Sequence, residues 1–295
     1  MDESQVKNTP LLSKVTIIGV GLIGGSFAKG LKEAGLADTV FGFGHNESTL
    51  KKAVELGVVD AYSTNMEEAV KDSDLIMLSV PLSVMKSVLQ QMKPYLKKSA
   101  IITDAGSAKC SVIDAVQSVF GCVPTHFVPG HPIAGKEKSG VEAADASLFV
   151  AHRVILTPSD DTDVNAISQV THLWQALGAN VESMSAEHHD DIFAATSHLP
   201  HLLAFSLVDM LNEHEELGNV FPYTAGGFRD FTRIASSDAT MWRDISIENS
   251  TAIVKWLKAY QTAITELTTL VEKQDAEALK ALFLGAKQAR DKHIK

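Results

Sequence analysis

Over the first half of the chain, short apolar runs alternate with stretches of helical spacing, and over the second half only the helical spacing remains. Residues 14–18 (KVTII), 39–43 (TVFGF), 74–80 (DLIMLSV) and 100–103 are brief, apolar and in part β-branched. That pattern predicts strands buried on both faces. Each leads into a stretch of helical period: 22–34 stopped by Gly35, 48–56 stopped by Gly57, 82–96, and one reaching about residue 120. Glycine just past the last periodic residue is a common helix stop. A late strand at 152–157 and a helix over 163–177, ending at Gly178, complete the series. From about residue 185 the strand-like runs disappear, and helical periodicities fill 192–212 and 246–272.

Alternating strands and helices predict an α/β N-terminal domain with a doubly wound, Rossmann-type parallel sheet. The texture change predicts an all-α C-terminal domain. The expected division is a polar, flexible tail at 1–13, a sheet domain at 14–184 and a helical domain at 185–295. Two such units leave a cleft between them, a favoured place for ligands.

Composition narrows the function. The 295 residues are 45% hydrophobic, enough to bury a sizeable core. A formal net charge of −10 argues against a nucleic-acid partner. No apolar run approaches the roughly 20 residues that span a bilayer, and 1–13 lacks a signal-peptide core, so a cytoplasmic, non-membrane protein is expected. Cys110 and Cys122 have neither metal-ligand spacing nor a disulfide framework.

The candidate chemistry begins at the first strand's end. Gly19, Gly21 and Gly24 form a G-x-G-x-x-G loop that also carries Leu22 and Ile23 and opens a helix. The glycines suit a tight turn, close approach of a pyrophosphate and close helix–strand packing, and the helix N-terminus attracts the phosphates. NAD or NADP is therefore the expected cofactor. An acidic residue usually ends the second strand of an NAD site. Here Gly44 stands there, followed by His45 and Asn46, so the choice stays open. Val80 and Asp104, at later strand ends, complete the expected cofactor contacts. Ser107 lies just past a strand end and reads either as a site residue or as a helix N-cap. His131 sits in a stiff Gly/Pro loop ahead of Ile133 and Ala134, and its ordinary pKa of about 6.5 suits a general base. His198 and His201 can share a helical face, but no third ligand at recognised spacing accompanies them, and no metal is expected. His188 and His189 read as surface polar residues. Arg229 and Arg233 are four apart with Asp230 between them, and such arginines either bind a carboxylate or form an interdomain ion cluster. Trp242 reads as core on its own.

Taken together, GVGLIGGS at 19–26, TDAGSAK at 103–109, HPIAGKEKSG at 131–140, SHLPH at 197–201 and GFRDFTRIA at 227–235 resemble the prephenate/arogenate dehydrogenase family of tyrosine biosynthesis. The resemblance implies oxidative decarboxylation of prephenate to 4-hydroxyphenylpyruvate, or of arogenate to tyrosine, by a homodimer joined through its helical domain. It implies that His131 bonds the substrate's 4-hydroxyl, with Ser107 holding its ring. It also implies that Arg233 binds a substrate carboxylate and that His201, Glu137, Asp230 and Trp242 line the pocket. His189 and His198 fall nearby without defined roles. His201 is expected to donate to a pyruvyl group. A β-hydroxyacid dehydrogenase shares the two-domain plan, but its G-x-x-x-N-x-x-K spacing is absent. A protein that senses NAD(P) without turnover would not need His131, Ser107 and Arg233 together.

Overall fold

Parallel pairing of β1 (Leu12–Ile18) with both β2 (Ala37–Phe43) and β4 (Leu75–Leu78) sets the centre of the sheet. The computed structural model describes residues 11–136, 138–214, 216 and 218–294. With β3 (Ala61–Ser63), β5 (Ile101–Asp104) and β6 (Phe127–Val128), six parallel strands run in the order β3-β2-β1-β4-β5-β6. The strand order reverses beside β1, which opens a crevice at the C-terminal ends of β1 and β4. The tail prediction is corrected here. β1 starts at Leu12, which is buried and pairs with Ala37, so the sheet takes in residues that their polar surroundings assigned to the tail.

Alternation along the strands fills two cores. Val15, Ile17, Leu75 and Met77 enter one, and Ile18, Ile76, Leu78 and Ile102 enter the other. Thr16 falls on a buried face and is tolerated because its hydroxyl meets Ala69 O and Ser73 Oγ at 2.7 Å. The covering helices are α1 (Leu22–Glu33), α2 (Glu47–Glu55), α3 (Met66–Val70), α4 (Leu82–Met92), α5 (Lys109–Phe120) and α6 (Val164–Ala176). The predicted helix at 82–96 ends as α4, and a separate tight turn, Lys93–Tyr95, carries Pro94.

A second sheet was not expected. β7 (Gly130–Pro132) pairs antiparallel with β8 (Arg153–Leu156), which pairs parallel with β9 (Asn180–Ser183). His131 is therefore on an edge strand opposite Ile155, not in a loop. Three residues ending in proline carry no readable alternation, and an edge is where a strand proline is tolerated.

Beyond Ser183 the described chain is helical: α7 (Ala186–Phe193), α8 (Leu199–Glu213), α9 (Gly226–Thr232), α10 (Ala239–Glu248), α11 (Ser250–Glu272) and α12 (Ala276–His293). The helical periodicity read over 192–212 is interrupted by a π-helical turn at Ala194–His198, a local distortion often found at functional sites. Side-chain hydrogen bonds join this region to the sheet domain. Asp190 on α7 bonds the first turn of α5, and Ser83 on α4 donates to Asp244 on α10 at 2.5 Å.

Candidate active site

The glycine loop is shaped for an anionic ligand. Gly19 has φ +93°, and a Cβ there would run into Ser79 O and Val80 Cγ1, which also places Val80 beside the loop. A Cβ on Gly24 would overlap the backbone of Gly19 and the Ser79 hydroxyl, so glycine is what lets α1 lie on the strand ends. At Gly21 nothing approaches within 4 Å. The first turn of α1 has no side-chain cap and no acidic residue, so the amides around Leu22 and Ile23 keep their capacity for an anion. At the end of β2, exposed His45 meets the edge of Phe43, while Asn46 caps α2 through Thr49 N at 3.2 Å. These features fit a dinucleotide.

Asp104 departs from expectation. Its carboxylate is fully buried and accepts from Gly106 N at 2.8 Å, from Gly130 N at 3.1 Å and from the buried Lys109 ammonium. Lys109 also donates to Gly130 O at 2.7 Å. Burial lowers the Lys109 pKa against the pull of Asp104. This side chain does not face a cofactor. It ties the end of β5 to the start of β7, and so sets where Ser107 and His131 stand.

Ser107 is partly buried, and the capping alternative is excluded. α5 begins after Ala108 with no side-chain cap of its own. The Asp190 carboxylate serves instead, taking Lys109 N at 2.7 Å and Cys110 N at 2.9 Å. Nor does Ser107 hold the His131 ring. Among the described residues, Nδ1 of His131 is bonded to Nε2 of His189 at 2.8 Å. His189, read from sequence as a surface residue, is fully buried, and its Nδ1 meets Asp190 Oδ1 at 2.7 Å. Its signal was weak because neighbouring His188 is exposed, and only the helical phase separates the two. Phe193, missed entirely, stands 5.2 Å from the His131 ring and 4.6 Å from that of His189, centroid to centroid. Burial, reinforced by His189 and Lys109, holds the His131 pKa well below 6.5.

The π-helical turn re-phases the helix so that His198 and His201 both reach Trp242. His201 stacks on the indole at 3.8 Å, and His198 meets its edge at 6.0 Å. Trp242 is buried, and among the described residues its Nε1 has no hydrogen-bond partner. His198 is buried and takes a hydrogen bond from Asn249 Nδ2 at 3.2 Å, and its pKa is lowered to about 4 by burial. His201 Nδ1 bonds Ser197 O at 2.9 Å, so it carries the ring hydrogen, because a carbonyl only accepts. Burial and the nearby Arg233 charge lower the His201 pKa. The neutral ring then leaves an acceptor at Nε2, and the donor expected from sequence is corrected to an acceptor. Arg229 turns to Thr224 O at 3.1 Å, and Arg233 opens the turn Arg233–Ser236 after α9, where Asp230 is exposed. Glu137 lies outside the described residues. Among the described residues no group of His, Cys, Asp and Glu is placed to hold a metal ion, and no helix is long and apolar enough to cross a membrane.

Comparison with known proteins follows the same division of the chain. Residues 27–183 match the nucleotide-binding domain of prephenate dehydrogenase, and residues 185–284 match its dimerization domain. The cyclohexadienyl dehydrogenase of Zymomonas mobilis is 39% identical over 279 residues, covering 94% of each chain. The prephenate dehydrogenase of Bacillus subtilis is 36% identical over 295 residues, 98% of this chain and 76% of that one. Among solved structures, prephenate dehydrogenase from A. aeolicus, in complex with hydroxyphenyl propionate and NAD+, superimposes with a TM-score of 0.89 at 37% identity. It covers 95% of this chain and 98% of its own.

Proposed function

The chain belongs to the prephenate dehydrogenase family of oxidoreductases, and from that premise we propose that it oxidatively decarboxylates prephenate to 4-hydroxyphenylpyruvate. The observation that carries this reading is His131, backed by His189 at 2.8 Å, on a strand whose Gly130 is tied to Lys109 and to Asp104 at the end of β5, in a domain whose glycine loop suits a dinucleotide.

Gly19, Gly21 and Gly24, with the amides of Leu22 and Ile23, would hold the pyrophosphate, and Val80, His45 and Asn46 would border the nucleosides. A bound NAD or NADP supplies the hydride acceptor. His131 is unprotonated at neutral pH and takes the proton of the substrate's 4-hydroxyl. As that oxygen becomes a ketone, the ring draws electrons from the bond to its carboxylate, carbon dioxide leaves, and aromatisation drives the step. Arg233 binds a carboxylate, with His201 and Trp242 beside it. Much of the catalytic contribution is positioning. A homodimer is supported by α11 and α12. Of the 23 residues of α11 only Ile253 is buried, while Ile264, Val271, Phe283 and Leu284 stand exposed on the two helices.

One observation favours a second substrate. The acceptor at His201 Nε2 suits the ammonium of arogenate better than the keto oxygen of prephenate. The test is reduced-cofactor absorbance with prephenate and with arogenate, each with NAD and with NADP. Turnover of prephenate supports the proposal. Turnover of arogenate alone replaces it, and turnover of neither refutes it.

A further inference from the structure

We infer that Asp190 and His189 form a positioning dyad that fixes His131 in the one tautomer able to accept the substrate's proton. The inference rests on His131 acting as the base.

It follows from counting hydrogens along the chain of bonds. Asp190 already receives two backbone N–H groups from the first turn of α5, at 2.7 and 2.9 Å. Hydrogen bonds to its charged form keep it ionised. An ionised carboxylate only accepts, so the 2.7 Å bond to His189 Nδ1 places the hydrogen on that nitrogen. Burial keeps His189 neutral, with a single ring hydrogen. Its Nε2 is then a lone pair, and the 2.8 Å bond to His131 Nδ1 requires His131 to donate. The second ring nitrogen of His131, Nε2, is left as the free lone pair. When Nε2 gains a proton, Nδ1–H continues to donate to His189, and Asp190 stabilises the new charge through that ring without a further proton transfer. A carboxylate orienting a catalytic histidine has the same physical role in serine hydrolases. Here an intervening imidazole extends its reach. Asn249 Nδ2 steadies the arrangement by bonding Asp190 O at 2.9 Å.

The test compares His189→Leu and His189→Gln with the wild type in the full-length protein. Glutamine offers an amide oxygen to the His131 Nδ1–H, and leucine offers nothing. Nitrogen-15 NMR of labelled histidine rings reads the His131 tautomer without reference to turnover. The wild type is expected to carry hydrogen on Nδ1 of His131 at neutral pH. His189→Leu loses that pattern, and kcat falls about tenfold or more, the worth of at least one hydrogen bond. KM stays within about twofold, because substrate binding is untouched. His189→Gln regains the pattern and most of kcat. Hydrogen on Nε2 of wild-type His131, or a His189→Leu enzyme with unchanged kcat, overturns the dyad. If the leucine variant fails to fold, the wild-type spectrum and the glutamine variant still decide. A wild-type spectrum with Nδ1–H in a protein that oxidises neither prephenate nor arogenate refutes the proposed function and leaves the dyad standing.

Discussion

Lys109→Met isolates the buried ion pair beneath the His131 strand. The Lys109 side chain is fully buried, so a methionine keeps most of its stem packing and removes the charge with its two hydrogen bonds. Asp104 would retain the amides of Gly106 and Gly130 as donors, at 2.8 and 3.1 Å, yet its negative charge would stay buried without a cation. Breaking one side of a buried pair costs about 3–5 kcal/mol, and two surviving donors put this site near 3 kcal/mol. The orphaned Gly130 carbonyl adds about 1 kcal/mol. Urea unfolding of the wild type, Lys109→Met, Asp104→Asn and the double variant measures the coupling. The double variant buries no charge and should be more stable than Lys109→Met alone. A Lys109→Met protein within about 1 kcal/mol of wild type, or strictly additive single effects, would refute the argument.

Three further outcomes can be checked directly. The base form of His131 exists above its depressed pKa, so kcat/KM should be flat at neutral pH and fall only in acid, on a limb below 6.5; a pH–rate profile with its limb at or above 6.5 contradicts this. Arg233→Ala should raise substrate KM about ten- to hundredfold, since a charged hydrogen bond is worth roughly 1.5–3 kcal/mol, and initial-rate kinetics with an unchanged KM would remove Arg233 from the pocket. Gly44→Asp should shift preference toward NAD by adding a ribose acceptor and repelling a 2′-phosphate. The new Cβ meets only Leu50, at an ordinary 3.6 Å, and an unchanged NAD/NADP ratio would show that other residues set the choice.

The glycine loop and the buried strands were legible because each is a local pattern: turn chemistry at Gly19 and unbroken apolar runs at 14–18 and 74–80. Strands β3, β6, β7 and β9 were not, since none of them lies in an unbroken apolar run. The helix over 192–212 was visible as amphipathic spacing, but the π-helical turn at Ala194–His198 leaves no mark in that spacing. His131 stood out by its neighbours, whereas His189 looked like its exposed twin His188.

The sequence alone determined the alternation of strand and helix, the nucleotide loop and the set of polar residues available for chemistry. These depend on backbone preference and on burial of one face, which neighbouring residues encode. Tertiary structure decided which of those residues meet. It turned Asp104 inward to Lys109, assigned the α5 cap to Asp190 in place of Ser107, and put His189 behind His131. Such pairings join residues 58 and 81 positions apart. They arise only when the sheet and the helices pack, because a buried polar group must find its partner wherever the fold brings one.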